Sequence, residues 1–181
     1  MKIRKVIDIS VKSGCIDLRD GVDCQWIGDG NAFYSFWGLP QLNADNVCAM
    51  YDIPTECVNM IHERGAAPYL LCEDYSGEVA CERDALASRY CPEGLVAFAA
   101  ADGLLFIQHK YLTPFEKGEE LFFFERGGYI AVKVGITLRA VIAPYRVLDK
   151  EYIDGLSDYL IKCKLTAYNR GESFVQLGVE D

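Results

Sequence analysis

Eight cysteines, two histidines and a crowd of aspartates near the N-terminus are the side chains of this 181-residue chain best suited to reactive chemistry. A thiol becomes a nucleophile when an imidazole takes its proton and a third group orients the pair. His62 and His109 are the two imidazoles, and no spacing selects a thiol for either. Cys48, Cys57 and Cys163 fall on predicted apolar helix faces and Cys72 in a predicted apolar strand, so they read as small hydrophobes. A Cys₃His zinc set can be assembled from His62, Cys72, Cys81 and Cys91. Its separations of ten, nine and ten residues lack the short Cys-x-x-Cys knuckle, and no metal is expected. The nine-residue interval of Cys15/Cys24, Cys48/Cys57 and Cys72/Cys81 has no physical account.

Asp17, Asp20, Asp23 and Asp29 are close enough to raise a glycosidase pair or a hard-cation site. Their order does not match a calcium loop, and Asp is a preferred turn residue, so they are expected at corners. Gly28-Asp29-Gly30 begins a dinucleotide fingerprint but runs into a strand, with no helix N-terminus to receive a pyrophosphate. No phosphate loop, Gly-x-Ser-x-Gly elbow or His-Glu-x-x-His helix is present; His62-Glu63 continues as Arg64-Gly65. No catalytic residue and no cofactor is assigned.

Binding is carried better than catalysis. On the strand 32–37, Phe33, Ser35 and Trp37 face one way and Tyr34 and Phe36 the other. With Trp26 they put aromatic surface on both sides of a sheet, and one side is expected to meet a partner. Trp26, Tyr34, Phe36 and Trp37 are therefore the candidate contact residues. Lys133 and Arg139, with Arg146 and Lys150 beyond, are a candidate phosphate-facing patch; the plainer reading is a solvated edge.

The elements that hold these residues are predicted from turns and periodicity. Leu95 to Ala100 and Leu104 to His109 flank Asp102-Gly103, the signature of a tight hairpin. Leu121 to Glu125, Arg126-Gly127-Gly128 and Tyr129 to Ile142 predict a second hairpin, with Gly135 as a bend or bulge in a long return strand. Earlier, Ile7, Ile9 and Val11 alternate with polar residues as in a half-buried strand. Asp20-Gly21 and Asp29-Gly30 predict the corners of a meander. Asn43 is expected to cap one short helix and Thr55 a second, closed by Gly65. Tyr69 to Cys72 reads as an apolar strand segment and Glu78 to Tyr90 as a helix. Asp149 caps a long helix to about Tyr168, with Ile153, Leu156, Tyr159, Leu160 and Cys163 as its stripe and Asn169-Arg170-Gly171 as its stop. The last residues, Val179-Glu180-Asp181, are expected to fray.

The fold class expected is α+β, with antiparallel β-meanders in two β-rich units covered by three or four helices. The units divide at Pro92-Glu93-Gly94 into 1–93 and 94–181, or merge in one domain. Sliding residues 26–40 by 73 positions lays Asp29-Gly30 on Asp102-Gly103, Phe33 on Phe106 and Leu39 on Leu112, a weak echo of an internal duplication. A clamp-like pair of units would need basic helices, and Asn43 to His62 contains no Lys or Arg.

Charge narrows the partners. The net −9 is uneven: residues 1–93 hold 8 Lys/Arg against 15 Asp/Glu, while residues 94–170 hold 10 against 9. Overall attraction to nucleic acid or anionic lipid is excluded, and a local basic face in the second half is the one route to a nucleic-acid role. No export signal and no long apolar window is visible, and thiols without a disulfide framework suit the cytosol. The function expected is a non-catalytic binding module with a protein partner or self-association. The rivals are a cytosolic Cys/His or carboxylate hydrolase and a nucleic-acid-processing accessory protein.

Overall fold

The computed structural model describes residues 1–101, 103–146 and 148–170. Asp102, Gly171 and the stretch ending Val179, Glu180 and Asp181, all named above, lie outside the described residues, as does the side chain of Thr55. Among the described residues four α-helices and a ten-stranded, mixed and mostly antiparallel sheet make this an α+β fold. In chain order the elements are α1 (Ile3–Ser13), β1 (Ile16–Asp20), β2 (Cys24–Gly28), β3 (Ala32–Trp37), α2 (Ala44–Tyr51), β4 (Ile61–Ala66) and β5 (Val79–Arg83). They continue with α3 (Ala85–Tyr90), β6 (Leu95–Ala100), β7 (Gly103–Gln108), β8 (Leu121–Arg126), β9 (Tyr129–Val134), β10 (Thr137–Ile142) and α4 (Lys150–Asn169).

The sheet order is β4-β1-β2-β3-β10-β9-β8-β5-β6-β7. Consecutive strands β1, β2 and β3 pair antiparallel, and among the described residues the one parallel pair is β1 with β4. Strand β5 passes the ladder on: Val79, Ala80 and Cys81 pair with β8, whereas Glu82 and Arg83 pair with β6. The two ends of the sheet can therefore share one core, in which Val6 and Ile7 of α1 join Ile16, Tyr34, Phe98, Ile107 and Tyr111. Tyr34 Oη donates to Tyr111 O at 2.8 Å, and Phe98 packs on Phe123 with ring centroids 4.8 Å apart. On the other face of the sheet Trp26, Ala131, Leu138 and Val141 are covered by Leu71 and its neighbours. Helices α3 and α4 close over β6 and β7 through Ala87, Phe106, Leu156 and Leu160.

Several expectations need correction. Residues 3–13 form a helix, not a strand: Val6, Ile7 and Ser10 make its buried face, and this helical spacing wins because that face meets β1 and β2. Gly14, at φ 76°, ends it in the left-handed region that glycine tolerates. Residues 79–83 are strand β5, so the expected helix over Glu78 to Tyr90 shrinks to α3, capped by Asp84 accepting from Ala87 N at 2.8 Å. Val79, Ala80 and Cys81 satisfy the backbone edge of β8 instead of forming helical bonds. Tyr69–Leu71 is a single 3₁₀ turn rather than a strand, and Thr55–Met60 is a six-residue 3₁₀ helix, followed at once by β4 instead of a helix closed by Gly65. Gly135, at φ 60°, does not bend one strand; with Ile136 it is the two-residue turn between β9 and β10, where Val134 pairs with Thr137.

Other expectations match their elements. Asn43 caps α2 with a reciprocal Asn43–Asn46 pair of bonds, each 2.8 Å. Asp149 caps α4, whose buried residues include Leu156 and Leu160; Tyr159 of the expected stripe is exposed. No helix among the described residues is long and apolar enough to cross a membrane.

Candidate functional site

A cleft of about 690 Å³ opens where the end of β1, the turn into β2 and the end of β3 meet the segment 66–74. Its residues come together by sheet register. Cys24 pairs with Trp37 and Trp26 with Ser35, so Cys24, Trp26 and Trp37 share one face of the sheet. Trp26 is 2 % exposed and forms the floor; Trp37, 39 % exposed, and Val22, 97 % exposed, stand at the rim. The turn needs a glycine for a steric reason. A Cβ on Gly21 would lie 2.7 Å from Cys24 Sγ, 2.9 Å from Cys24 O and 3.2 Å from Trp26 Nε1.

The two indoles differ in their polar atoms. Trp37 Nε1 donates to Ser35 Oγ at 3.3 Å, and Ser35 Oγ donates in turn to Leu138 O at 2.7 Å. Trp26 Nε1 has no acceptor among the described residues, although its ring is almost wholly buried. The N–H is not among the buried atoms that lack a partner, so it is reached from the cleft, where water or a ligand can accept from it.

The opposite wall is clamped. Ala67 N donates to Asp20 O at 2.7 Å, fixing the wall to the end of β1. Arg126, 0 % exposed, donates through Nη1 to Leu70 O and Cys72 O, at 2.8 and 2.7 Å, and through Nε to Glu78 Oε1 at 2.8 Å. Its guanidinium also lies 4.9 Å from the ring centroid of Tyr75, and Lys133 forms a second ion pair with Glu78. Glu73 Oε1 accepts from Leu138 N at 3.2 Å. A buried guanidinium with its donors aimed at carbonyls and a carboxylate is a rigid fastener, so the cleft is held open by residues outside it.

The cleft is acidic. Asp20, Asp23, Glu73 and Asp74 line it with Cys24 and Cys72, and among the described residues no Lys, Arg or His does. Asp20 accepts from Gln41 Nε2 at 2.8 Å, while Asp23 and Asp74 make no ion pair among the described residues. Burial, then the charges of Glu73 and Asp23, push the Cys24 thiol up to about 11. It stays protonated at neutral pH, the reverse of what a thiolate nucleophile requires. The walls are otherwise apolar: Val22, Ala66, Ala67 and Leu71 accompany the indoles.

The remaining sequence candidates lie elsewhere. Tyr34 and Phe36 point into the main core, on the face opposite Trp26 and Trp37. Lys133 is engaged by Glu78, and its Nζ sits 4.8 Å from the Phe124 centroid. Arg139 is the extra residue of a bulge in β10, and its charge acts on Glu119. Burial alone would raise the Glu119 carboxyl, but the Glu116 N–H, the N-terminal ammonium and Arg139 together hold it below the usual value. The aspartates divide: Asp20 and Asp23 reach the cleft, Asp17 is buried against Arg19 and Arg64, and Asp29 accepts from four donors. His62, Cys72, Cys81 and Cys91 are not gathered; among the described residues no three His, Cys, Asp or Glu converge as a metal site. Glu73 and Asp74 were missed as site residues, because nothing local marks them as neighbours of Trp26.

No family model, curated protein or solved structure matches this chain.

Proposed function

We propose that the protein is a binding module that receives a basic segment of a partner protein in the acidic indole cleft. The observation that carries this reading is the unpartnered N–H of buried Trp26 on the floor of a cleft lined by acids and no cations. A peptide satisfies each part. Its carbonyl accepts from Trp26 Nε1, its Lys or Arg charge meets Asp23 and Asp74, and the aliphatic stem lies along Trp37 and Leu71. Exposed ion pairs contribute only about 0.2–1 kcal/mol each, so the acids supply selectivity and the burial against the indoles supplies affinity.

Both tryptophans of the chain line the cleft, so intrinsic fluorescence reports on it directly. Titration with a blocked hexapeptide alternating lysine and leucine should give a saturable emission change. The same peptide with glutamate for lysine should give none. Asp23→Asn with Asp74→Asn should weaken the lysine peptide several-fold. Equal response to both peptides, or no change in the double variant, refutes the reading.

A further inference from the structure

A second groove, remote from the acidic cleft in composition and residues, is built where four backbone segments converge. Two contiguous hollows of about 490 and 480 Å³ share Gln108, Lys110 and Tyr145. Their walls are fixed by backbone bonds: His109 N donates to Gly94 O at 2.7 Å, Tyr145 N to Phe106 O at 2.6 Å, and Ala143 N to Asn31 O at 2.6 Å. The cations facing it are Lys110 and Arg146, with the His109 imidazole beside them. Neither Lys110 nor Arg146 belongs to an ion pair among the described residues. Lys110 Nζ instead rests 4.7 Å from the Tyr111 ring centroid. Among the described residues Glu93 is the one acid in either lining. Asp29 lies close beneath, but Ser13, Tyr111 and the backbone N–H groups of Asn31 and Ala32 occupy its carboxylate.

We propose that this groove binds a short single-stranded nucleic acid. Unpaired cations beside an open channel suit a phosphodiester backbone, and Tyr129 and Tyr145 are the ring surfaces on which bases stack. Gln108 and Asn31 add amide donors and acceptors at base level. Lys110 lines both hollows and Arg146 only the second, so the cations are spread over two joined hollows, as a strand of several phosphodiesters requires. The overall charge of −9 repels a polyanion, so the contact is local and its salt dependence shallow. Two phosphates neutralised on a single strand give a slope of about −1.4 in log K against log salt.

The test is fluorescence anisotropy of a fluorescein-labelled eight-residue oligothymidylate between 25 and 200 mM salt. The expected result is saturable binding with that slope, and at least a tenfold loss in the Lys110→Glu, Arg146→Glu double variant. Both residues are exposed, so circular dichroism should show an unchanged fold. Trp37→Ala, which damages the other cleft, should leave oligonucleotide binding intact and so separates this proposal from the peptide reading. Absence of binding at 25 mM salt overturns it, as does equal binding by the double variant. Displacement by inorganic phosphate or a phosphotyrosine peptide as readily as by unlabelled oligonucleotide also overturns it.

Discussion

The acidic cleft and the basic groove are lined by similar materials, aromatic rings with charged groups around them, yet they are held in opposite ways. The cleft is braced by a buried side chain: Arg126 ties the carbonyls of Leu70 and Cys72 to Glu78. The groove is braced by main-chain bonds between its own walls, at Gly94, Phe106 and Asn31. A wall fixed through ionised groups depends on their protonation and on one irreplaceable residue. A wall fixed by the backbone depends on neither, because peptide groups do not titrate and most substitutions leave them in place.

The strongest way to break that contrast is Arg126→Met. Removing the guanidinium leaves Glu78 to Lys133 alone and the carbonyls of Leu70 and Cys72 without donors, and about 1–3 kcal/mol of unfolding free energy for each orphaned group should be lost in urea titrations. Molecules that remain folded should lose the tryptophan response to the lysine peptide and keep oligonucleotide binding; loss of both together would show the two regions to be one unit. Next in size is Trp26→Phe, which deletes the unpartnered N–H. Peptide affinity should drop about tenfold, the worth of one hydrogen bond, and an unchanged titration would mean that the indole contacts only water.

Acid should separate the two regions further. Burial favours the neutral form of Glu78, but hydrogen bonds from Lys133 and Arg126 and their charges outweigh it and hold the carboxyl below its ordinary value of 4.5. A depressed folded value means that the stabilisation is whole above 4.5 and disappears as pH falls through the lower folded value. Urea midpoints measured from pH 7 to pH 3 should fall in that window, and Glu78→Gln should flatten this part of the curve. A fall of the same steepness in that variant would assign the acid sensitivity to other carboxylates.

Thiol chemistry gives a finer probe. With Cys24 raised to about 11, about one molecule in a thousand carries its thiolate at pH 8, so alkylation there should be slow and accelerate tenfold per pH unit. Saturating lysine peptide should slow it again; rapid alkylation at pH 7, read by peptide mass mapping, would contradict the buried acidic setting. The smallest effect is expected from Lys133→Ala with Arg139→Ala. Because Lys133 is held by Glu78 and Arg139 lies in the β10 bulge, oligonucleotide affinity should change less than twofold. A larger loss would move the anionic site to the patch that the sequence suggests.

Sequence reasoning named Trp26 and Trp37, which line the cleft, and alternation along a strand separates Trp37 from Tyr34 and Phe36 without knowledge of the fold. It did not reach Glu73 and Asp74, which join Trp26 only because Leu138 and Arg126 draw the 70–78 segment onto the sheet. Lys133 was named although Glu78 already engages it, since charge along a strand does not reveal which cation has a carboxylate partner. The misread N-terminal helix has the same origin: Ile7, Ile9 and Val11 satisfy a period of two, while the buried Val6, Ile7 and Ser10 follow the helical one.

Short-range chemistry was determined by the chain itself. Asn43 and Asp149 cap helices, Gly127-Gly128 turns β8 into β9, and Leu95–Ala100 is a strand beside β7. Those outcomes depend on dihedral preferences and bonds within a few residues. Which strand became that neighbour was decided by tertiary structure alone: β3 found β10, with Ser35 bonded to Leu138 across 103 residues, and β5 found β8 in place of a helix. Such pairings are selected by the apolar surface that both partners bury, a quantity that belongs to the assembled sheet and to no single segment of it.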